Sequence, residues 1–212
     1  MTTPNTRTRT TYRHGDLRGA LLAAGVDMAA EGGPDAVVLR EATRRAGVAP
    51  NAAYRHFADR RELLHAVSAA AQGHAADRIE RELNTIPPHD DPAEAARLRL
   101  RAVGSGYIAF AREEPGLFRT AFSVPDDLSN AGDPSKAGAG GRSPFQLVGM
   151  VLDELVEVGS LPVSRRGNAE FLAWSAVHGL GMLVIDGPLR GLTDEMVDGA
   201  TSRLLDMVER GL

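Results

Sequence analysis

The chain has 212 residues, of which 43% are apolar and 25% charged, and these proportions exclude wholesale disorder. It has no cysteine, which excludes disulfides, thiolate catalysis and cysteine-based metal centres. The longest uncharged apolar run, residues 171–185, is shorter than the roughly 20 residues of a membrane span. The first dozen residues lack the apolar core of a signal peptide. We therefore expect a cytoplasmic protein with no membrane partner.

Charge is unevenly distributed along the chain. The net charge is −4, yet residues 1–66 carry ten arginines against seven acidic residues, and the acidic excess lies in the remainder. All basic residues except Lys136 are arginines, whose guanidinium forks suit phosphate and guanine recognition. This asymmetry indicates a head that faces a polyanion, carried by an acidic body.

Helical signals dominate the N-terminal part of the chain. Asp16 is a potential helix cap, and Gly32-Gly33-Pro34 ends the apolar periodicity that follows it. Asp59 and Glu62 form a capping pair before a longer periodic stretch. The predicted helices of this part are residues 17–32, 39–46, 50–57 and about 60–83.

The remainder also reads as helical, with proline and glycine between the segments. Residues 125–144, rich in Gly, Ser, Asp and Pro, are predicted to be a mobile loop. The predicted helices are residues 93–112, 117–122, 145–158, 168–185 and 193–209. About nine helices and no sheet predict an all-α fold. The six histidines show no metal-binding spacing, and we expect no metal or other cofactor.

The stretch from residue 39 to 57 has the pattern of a helix-turn-helix. Gly47 can adopt the left-handed conformation that the turn between two short helices requires. Ala42 and Ala46 are small enough for those helices to cross closely. The inward positions are then Val48, Ala53 and Phe57, and the outward ones are Asn51, Ala52, Tyr54, Arg55 and His56.

These outward side chains suit a major groove better than a hydrophobic core. Arginine reads guanine and asparagine reads adenine, while a tyrosine hydroxyl and an imidazole bind phosphate. Arg60, at the start of the next helix, is placed to reach a neighbouring phosphate. The pattern therefore predicts DNA binding, and the alternative is a helical hairpin whose polar face is merely hydrated.

Residues 12–67 resemble the N-terminal domain of TetR-type transcriptional regulators. The shared motifs are L-R-x-x-x-R-x-A-G-V, here residues 39–48, and Y-R-H-F-x-x-[KR]-x-x-L-L, here residues 54–64. The resemblance implies phosphate contacts from Tyr54, His56 and Arg60. It implies positions near base edges for Arg40, Asn51, Ala52 and Arg55, with Arg13 as a contact from the arm.

The chain departs from the family pattern at three positions of this motif. Val38 stands where Ser or Thr is usual, Ala49 where Ser is usual, and Thr43 where Ala is common. We therefore expect a helix cap to be missing before residue 39. The resulting division is a flexible arm (1–15), a DNA-binding head (16–66) and an effector-binding and dimerisation body (67–212).

The resemblance also implies that the C-terminal helices dimerise and enclose an effector pocket. Trp174, His178 and Gly179 are similar to a Trp-His-Gly motif of one TetR subgroup. Helices 168–185 and 193–209 are the predicted homodimer surface, and Gly179 and Gly181 permit close helix contact. The candidate pocket residues, for which plain core packing is the alternative, are Phe110, Phe118, Phe122, Met150, Trp174, His178 and Met182.

The implied function is that of a ligand-responsive transcriptional regulator, most commonly a repressor. It would bind a palindromic operator in double-stranded DNA as a homodimer and be released by a small-molecule effector. A helical enzyme using Ser175, His178 and Asp186 is a rival, although Asp186 lies about 12 Å further along the helix axis. A protein-interaction module is a third possibility. We expect a regulator and not an enzyme.

Overall fold

The computed structural model describes residues 16–212, so the predicted arm and Arg13 lie outside the described residues. Between residues 16 and 212 there are ten α-helices, three short 3-10 helices and no strand. The α-helices are α1 (Leu17–Gly32), α2 (Leu39–Ala46), α3 (Pro50–Ala53), α4 (Arg60–Leu83), α5 (Pro92–Glu113), α6 (Pro115–Ala121), α7 (Pro144–Glu157), α8 (Val163–Arg166), α9 (Ala169–Ile185) and α10 (Asp194–Gly211).

The all-α prediction is confirmed, and two details differ. The four-residue α8 has no counterpart among the predicted helices. The helix predicted over residues 50–57 ends at Ala53, and the chain continues as turns in which the His56 and Phe57 amides both donate to the Ala53 carbonyl, at 2.9 and 3.0 Å. Asp59 has an extended backbone, with φ −152° and ψ −179°, as the cap of α4. The chain must therefore leave the helical path before it reaches α4.

The head consists of α1, α2 and α3 packed against the start of α4. Leu21, Met28, Phe57 and Leu63 are the large side chains at its centre, each at most 1% exposed. Burial of such side chains contributes about 1.5–3 kcal/mol each. Because α4 is 24 residues long, it runs from this head into the body.

In the body, α5 packs against α4 and also against α7, α9 and α10. None of the helices described between residues 16 and 212 is long and apolar enough to span a lipid bilayer.

Gly116 brings α6 directly onto the carboxyl end of α1. A Cβ atom at this position would lie 2.3 Å from the Ala29 carbonyl oxygen and 2.5 Å from that of Ala30. Those oxygens belong to backbone and cannot move aside, so the contact requires glycine. The body and the head therefore meet through main chain at this point.

The segment predicted to be a mobile loop contains two 3-10 helices, Leu128–Asn130 and Pro134–Lys136. Asp127 and Asp133 cap them by accepting hydrogen bonds from the Ser129 and Ser135 amides, at 2.8 Å each. The Lys136 side chain is buried and donates to the Asn130 carbonyl at 2.7 Å.

The same segment is attached to α4. The Ala139 amide donates to Asp77 at 2.6 Å. These contacts give the segment a defined path along the body. Its glycine and proline content had predicted a mobile loop, because these contacts depend on α4 and not on local sequence.

Candidate DNA-binding surface and ligand cavity

The turn of the helix-turn-helix is built on Gly47. Its φ of 68° and ψ of 29° are left-handed values that glycine adopts without steric cost. The Gly47 amide donates to the Arg44 carbonyl at 3.2 Å, and the Val48 amide donates to the Thr43 carbonyl at 3.0 Å. These bonds satisfy the last carbonyls of α2 and redirect the chain toward α3.

The predicted inward and outward positions after this turn are confirmed. Ala53 and Phe57 are completely buried, and Val48 is partly buried against the core. The predicted outward positions all reach the surface: Asn51, Tyr54 and Arg55 are exposed, and Ala52 and His56 are partly exposed. Their contacts with DNA stay predictions.

Two arginines of α2 are neutralised within the head. Arg44 forms an ion pair with Glu41 at 2.6 Å, and Arg45 pairs with Glu31 at 2.7 Å and with Glu41 at 3.0 Å. Hydrogen bonds from both guanidinium groups lower the pKa of Glu41 to about 2. These two arginines are therefore occupied by acidic side chains.

Arg40 and Arg55 are different. Both are exposed, and neither pairs with an acidic side chain within residues 16–212. These are the two arginines that the family resemblance places near base edges. Their positive charge is therefore not compensated by an acidic side chain of the described residues.

Arg60 is held largely by the protein itself. Its Nε donates to the Val37 carbonyl and its Nη2 to the Pro34 carbonyl, at 2.7 Å each. Asp35 lies 3.8 Å from Nη2. The predicted phosphate contact is thus left to Nη1, and the main effect of Arg60 is to fasten α4 to the turn before α2.

The missing cap before α2 is confirmed. Val38 precedes the helix with φ −128° and ψ 122°, and it gives no side-chain hydrogen bond to the helix amides. The side chain is 42% exposed, so little packing depends on it. An oxygen at this position would accept from an unpaired amide of the first turn.

We expect Val38→Ser to stabilise the protein by about 1 kcal/mol, since capping serines contribute about 0.5–2 kcal/mol. Denaturant unfolding measures the change. Val38→Ala is the matched control because it removes the same apolar side chain without adding an oxygen. Equal unfolding free energies for the two variants would contradict the capping argument.

The body contains a cavity of about 510 Å³, open to solvent on one side, between α4, α5, α7, α9, α10 and the segment after α6. Phe122 and Trp174, two of the candidate pocket residues, lie in its wall, and their contact with an effector stays a prediction. The other wall residues include Leu100, Val103, Tyr107, Phe145, Val148, Val177 and Leu205. Such a mainly apolar cavity is of the size that small molecules occupy.

Tyr107 and Trp174 lie in the cavity wall and belong to a hydrogen-bonded chain of three side chains that His178 completes from behind. The Trp174 indole donates to the Tyr107 hydroxyl at 3.0 Å, and that hydroxyl lies 2.9 Å from His178 Nδ1. Burial raises the pKa of Tyr107, so the hydroxyl keeps its proton. Burial lowers the pKa of His178, so the imidazole is neutral. Because the Tyr107 hydroxyl already accepts from Trp174, we assign its proton to the bond with Nδ1, which leaves the imidazole proton on Nε2.

Four of the other candidate pocket residues lie elsewhere. Phe110 and Phe118 are completely buried core side chains outside the cavity wall. Met150 and Met182 are 39% and 37% exposed on the surface. His178 stands behind Tyr107 and stacks on Phe118 with ring centroids 5.2 Å apart.

The rival catalytic group is not assembled. The Asp186 carboxylate is held by Arg119, with Nη2 and Oδ1 separated by 2.6 Å. His178 is bonded to Tyr107. The arrangement therefore lacks the base and orienting carboxylate that a nucleophilic Ser175 would need.

The neutral state of His178 predicts a pH dependence of stability. Because its pKa is lower in the folded protein than in the unfolded chain, unfolding takes up a proton below the usual histidine pKa of about 6.5. Stability is complete above that pH and falls as the pH decreases toward the folded-state pKa. Unfolding of wild type and His178→Gln across this range measures the effect, and identical pH profiles would contradict it.

A helix-turn-helix head joined by one long helix to a body with an apolar cavity defines a DNA-binding regulator that senses a small molecule. Two family models match the chain. One describes bacterial regulatory proteins of the tetR family and covers residues 21–67, and the other describes a tetracyclin repressor-like C-terminal domain and covers residues 100–208.

The chain belongs to the TetR family, and it is a ligand-responsive transcriptional regulator. A comparison with curated proteins gives no match. Neither family description names the Trp-His-Gly subgroup, so that finer assignment stays a prediction.

Solved structures share the fold over nearly the whole chain. A protein of unknown function from Rhodococcus sp. RHA1 is 26% identical, with a TM-score of 0.72 over 96% of this chain and 98% of that one. A single-residue variant of TetR from Acinetobacter baumannii AYE, in complex with minocycline, is 20% identical, with a TM-score of 0.61 over 91% and 94% of the two chains. FadR from Bacillus subtilis, in complex with stearoyl-CoA, is 13% identical, with a TM-score of 0.56 over 92% and 98%.

Proposed function

We propose that this regulator is a repressor that binds a palindromic operator as a homodimer and leaves it when a small molecule occupies the cavity. The observation that supports this DNA-binding surface is a difference among the arginines of the head. Arg44 and Arg45 are paired with acidic side chains, whereas Arg40 and Arg55 are exposed without such partners among the described residues. Unpaired guanidinium groups are available for guanine and phosphate.

An apolar surface on α9 and α10 supports the dimer. Leu172 and Leu183, about three helical turns apart on α9, are 63% and 42% exposed. Met196 and Met207 show the same separation on α10 and are 55% and 60% exposed. Gly179 lies between the two leucines and has no neighbour within 4 Å of a Cβ position, so another helix can approach closely.

Two such heads related by a twofold axis would reach successive major-groove faces about 34–36 Å apart. This geometry requires an operator with two inverted half-sites. Because the interface is isologous, the same surface on each copy supplies both sides of it.

The link from the cavity to the head runs through α6. Phe122, which follows α6, lies in the cavity wall. Gly116, at the other end of the same helix, lies on the carbonyls of α1. A ligand that displaces Phe122 therefore acts on an element in contact with the head, and the spacing of the two heads changes.

A mobility-shift experiment with the promoter region of the chain's own gene tests the proposal. We expect a sequence-selective complex that weakens as salt rises, because phosphate binding releases counterions. A ligand that quenches Trp174 should dissociate this complex. Equal binding to random DNA would contradict operator recognition, and a complex that persists with the cavity filled would contradict ligand release.

We further propose that the protein acts in the cytoplasm, where operator DNA is present, and that it catalyses no reaction. The separation of His178 from Asp186 by their own partners supports the second point. A hydrolase activity lost in His178→Ala would overturn it. A pure protein-interaction module would instead form the same dimer and give no DNA shift.

A further inference from the structure

The cavity combines an apolar wall with hydrogen-bond donors that the protein already uses. Tyr107 donates to His178, and Trp174 donates to Tyr107. Lys136 donates to the Asn130 carbonyl and pairs with Asp126 at 2.5 Å. The cations and donors in the wall are thus engaged by protein acceptors.

Arg101, the other cationic side chain of the cavity wall, is engaged in the same way. It pairs with Asp206 and Glu209 on α10 and donates to Ser202 at 3.2 Å. An anionic ligand would therefore have to break an existing ion pair to find a positive partner.

The hydrogen-bond acceptors in the cavity wall, in contrast, are not all occupied by donors of the described residues. The Gln72 side chain donates to the Ala121 carbonyl at 2.9 Å, while no described residue donates to its Oε1. Asp127 caps a 3-10 helix through Oδ1, at 2.8 Å from the Ser129 amide, and pairs with no cation among residues 16–212. Its pKa is lowered by the hydrogen bonds from Ser129, so the carboxylate is ionised at neutral pH.

The uncompensated charge at the cavity is therefore negative, and the unused polar atoms are acceptors. We infer that the effector is a mainly apolar molecule that fits the cavity of about 510 Å³, and that it carries a hydrogen-bond donor and no negative charge. This inference rests on the proposed ligand response and adds the chemical class of the ligand. Asp127 is exposed at the cavity wall and has no compensating cation among the described residues, so its carboxylate disfavours an acidic group that binds beside it, through a Coulomb repulsion that water weakens.

Two dyes that share one skeleton test the inference. N-phenyl-1-naphthylamine is uncharged and has an N–H donor, and 8-anilinonaphthalene-1-sulfonate is the same molecule with a sulfonate. Trp174 is the sole tryptophan of the chain and lies in the cavity wall, so its quenching reports binding there. We expect the uncharged dye to bind with a dissociation constant at least about tenfold lower.

A pair of variants shows whether the charge of Asp127, and not only the apolar wall, determines which dye binds. Asp127→Asn keeps an oxygen for the helix cap and removes the charge, so we expect it to tighten sulfonate binding severalfold and not to tighten binding of the uncharged dye. Asp133→Asn is the matched control, since Asp133 caps the neighbouring 3-10 helix and is not part of the cavity wall. It should change neither dissociation constant.

The outcomes separate this inference from the proposed ligand response. If the sulfonate quenches Trp174 at equal or lower concentration, or if Asp127→Asn does not improve its binding, the chemical class is wrong and ligand binding stands. If neither dye quenches Trp174 in the wild-type protein, the cavity does not take an uncharged apolar donor and the inference is wrong. The ligand response is then judged by the mobility-shift experiment alone.

Discussion

Arg55→Ala should weaken operator binding by about 1–3 kcal/mol, or roughly 5- to 150-fold, while binding to random DNA changes little. The side chain is exposed beside the buried Ala53 and Phe57, and it pairs with no acidic group among the described residues. The proposed contact of this guanidinium is with a base edge, which random DNA offers only by chance. Fluorescence anisotropy with operator and scrambled duplexes at one fixed salt concentration measures both losses.

Arg44→Ala is the control for that experiment. It removes the same charge from the same head, but its guanidinium is already bound to Glu41 at 2.6 Å. We expect it to leave operator affinity nearly unchanged. If it weakens binding as much as Arg55→Ala does, general attraction to phosphate accounts for both arginines, and base reading by Arg55 is refuted.

Leu183→Glu should convert the proposed dimer into monomers and lower affinity for a two-half-site operator by at least about a hundredfold. The leucine is 42% exposed on the proposed interface, and a carboxylate there would be buried without a partner. A monomer binds only one half-site. It therefore loses the gain in affinity that two joined heads obtain by binding one operator together, which is a factor of about 10²–10⁴. Sedimentation measures the oligomeric state, and anisotropy measures the affinity.

Val163→Glu serves as the matched change outside this surface. Val163 is 77% exposed on α8, so a charge there should cost nothing. The variant is expected to sediment and bind DNA as the wild type does. A Leu183→Glu protein that remains dimeric would show that the subunits meet through another face.

Much of the head was predictable because its structure depends on local patterns. The caps at Asp16 and Asp59 and the left-handed turn at Gly47 are short-range features of the sequence. The absence of a cap at Val38 followed from the residue type alone. The length of α3 was not predictable in the same way, since Tyr54 to His56 have no residue that stops a helix and the early end depends on how α4 begins.

The cavity was predicted less well, because aromatic and apolar residue types do not reveal which neighbour fills the space beside them. Phe110 and Phe122 look alike in sequence, yet one is completely buried in the core and the other lies in the cavity wall. Tyr107 was missed because its spacing places it on the apolar side of a helix. Its role depends on Trp174 and His178, which are 67 and 71 residues away along the chain.

The contact at Gly116 sets how the body and the head can move. Side chains between two helices can change rotamer and absorb a small displacement, but here the peptide backbones of α6 and α1 meet directly. Close-packed backbone is incompressible on this scale. A shift of α6 by a fraction of an ångström therefore cannot be lost as local repacking, and it must appear as a tilt of α1 or as a break in the contact.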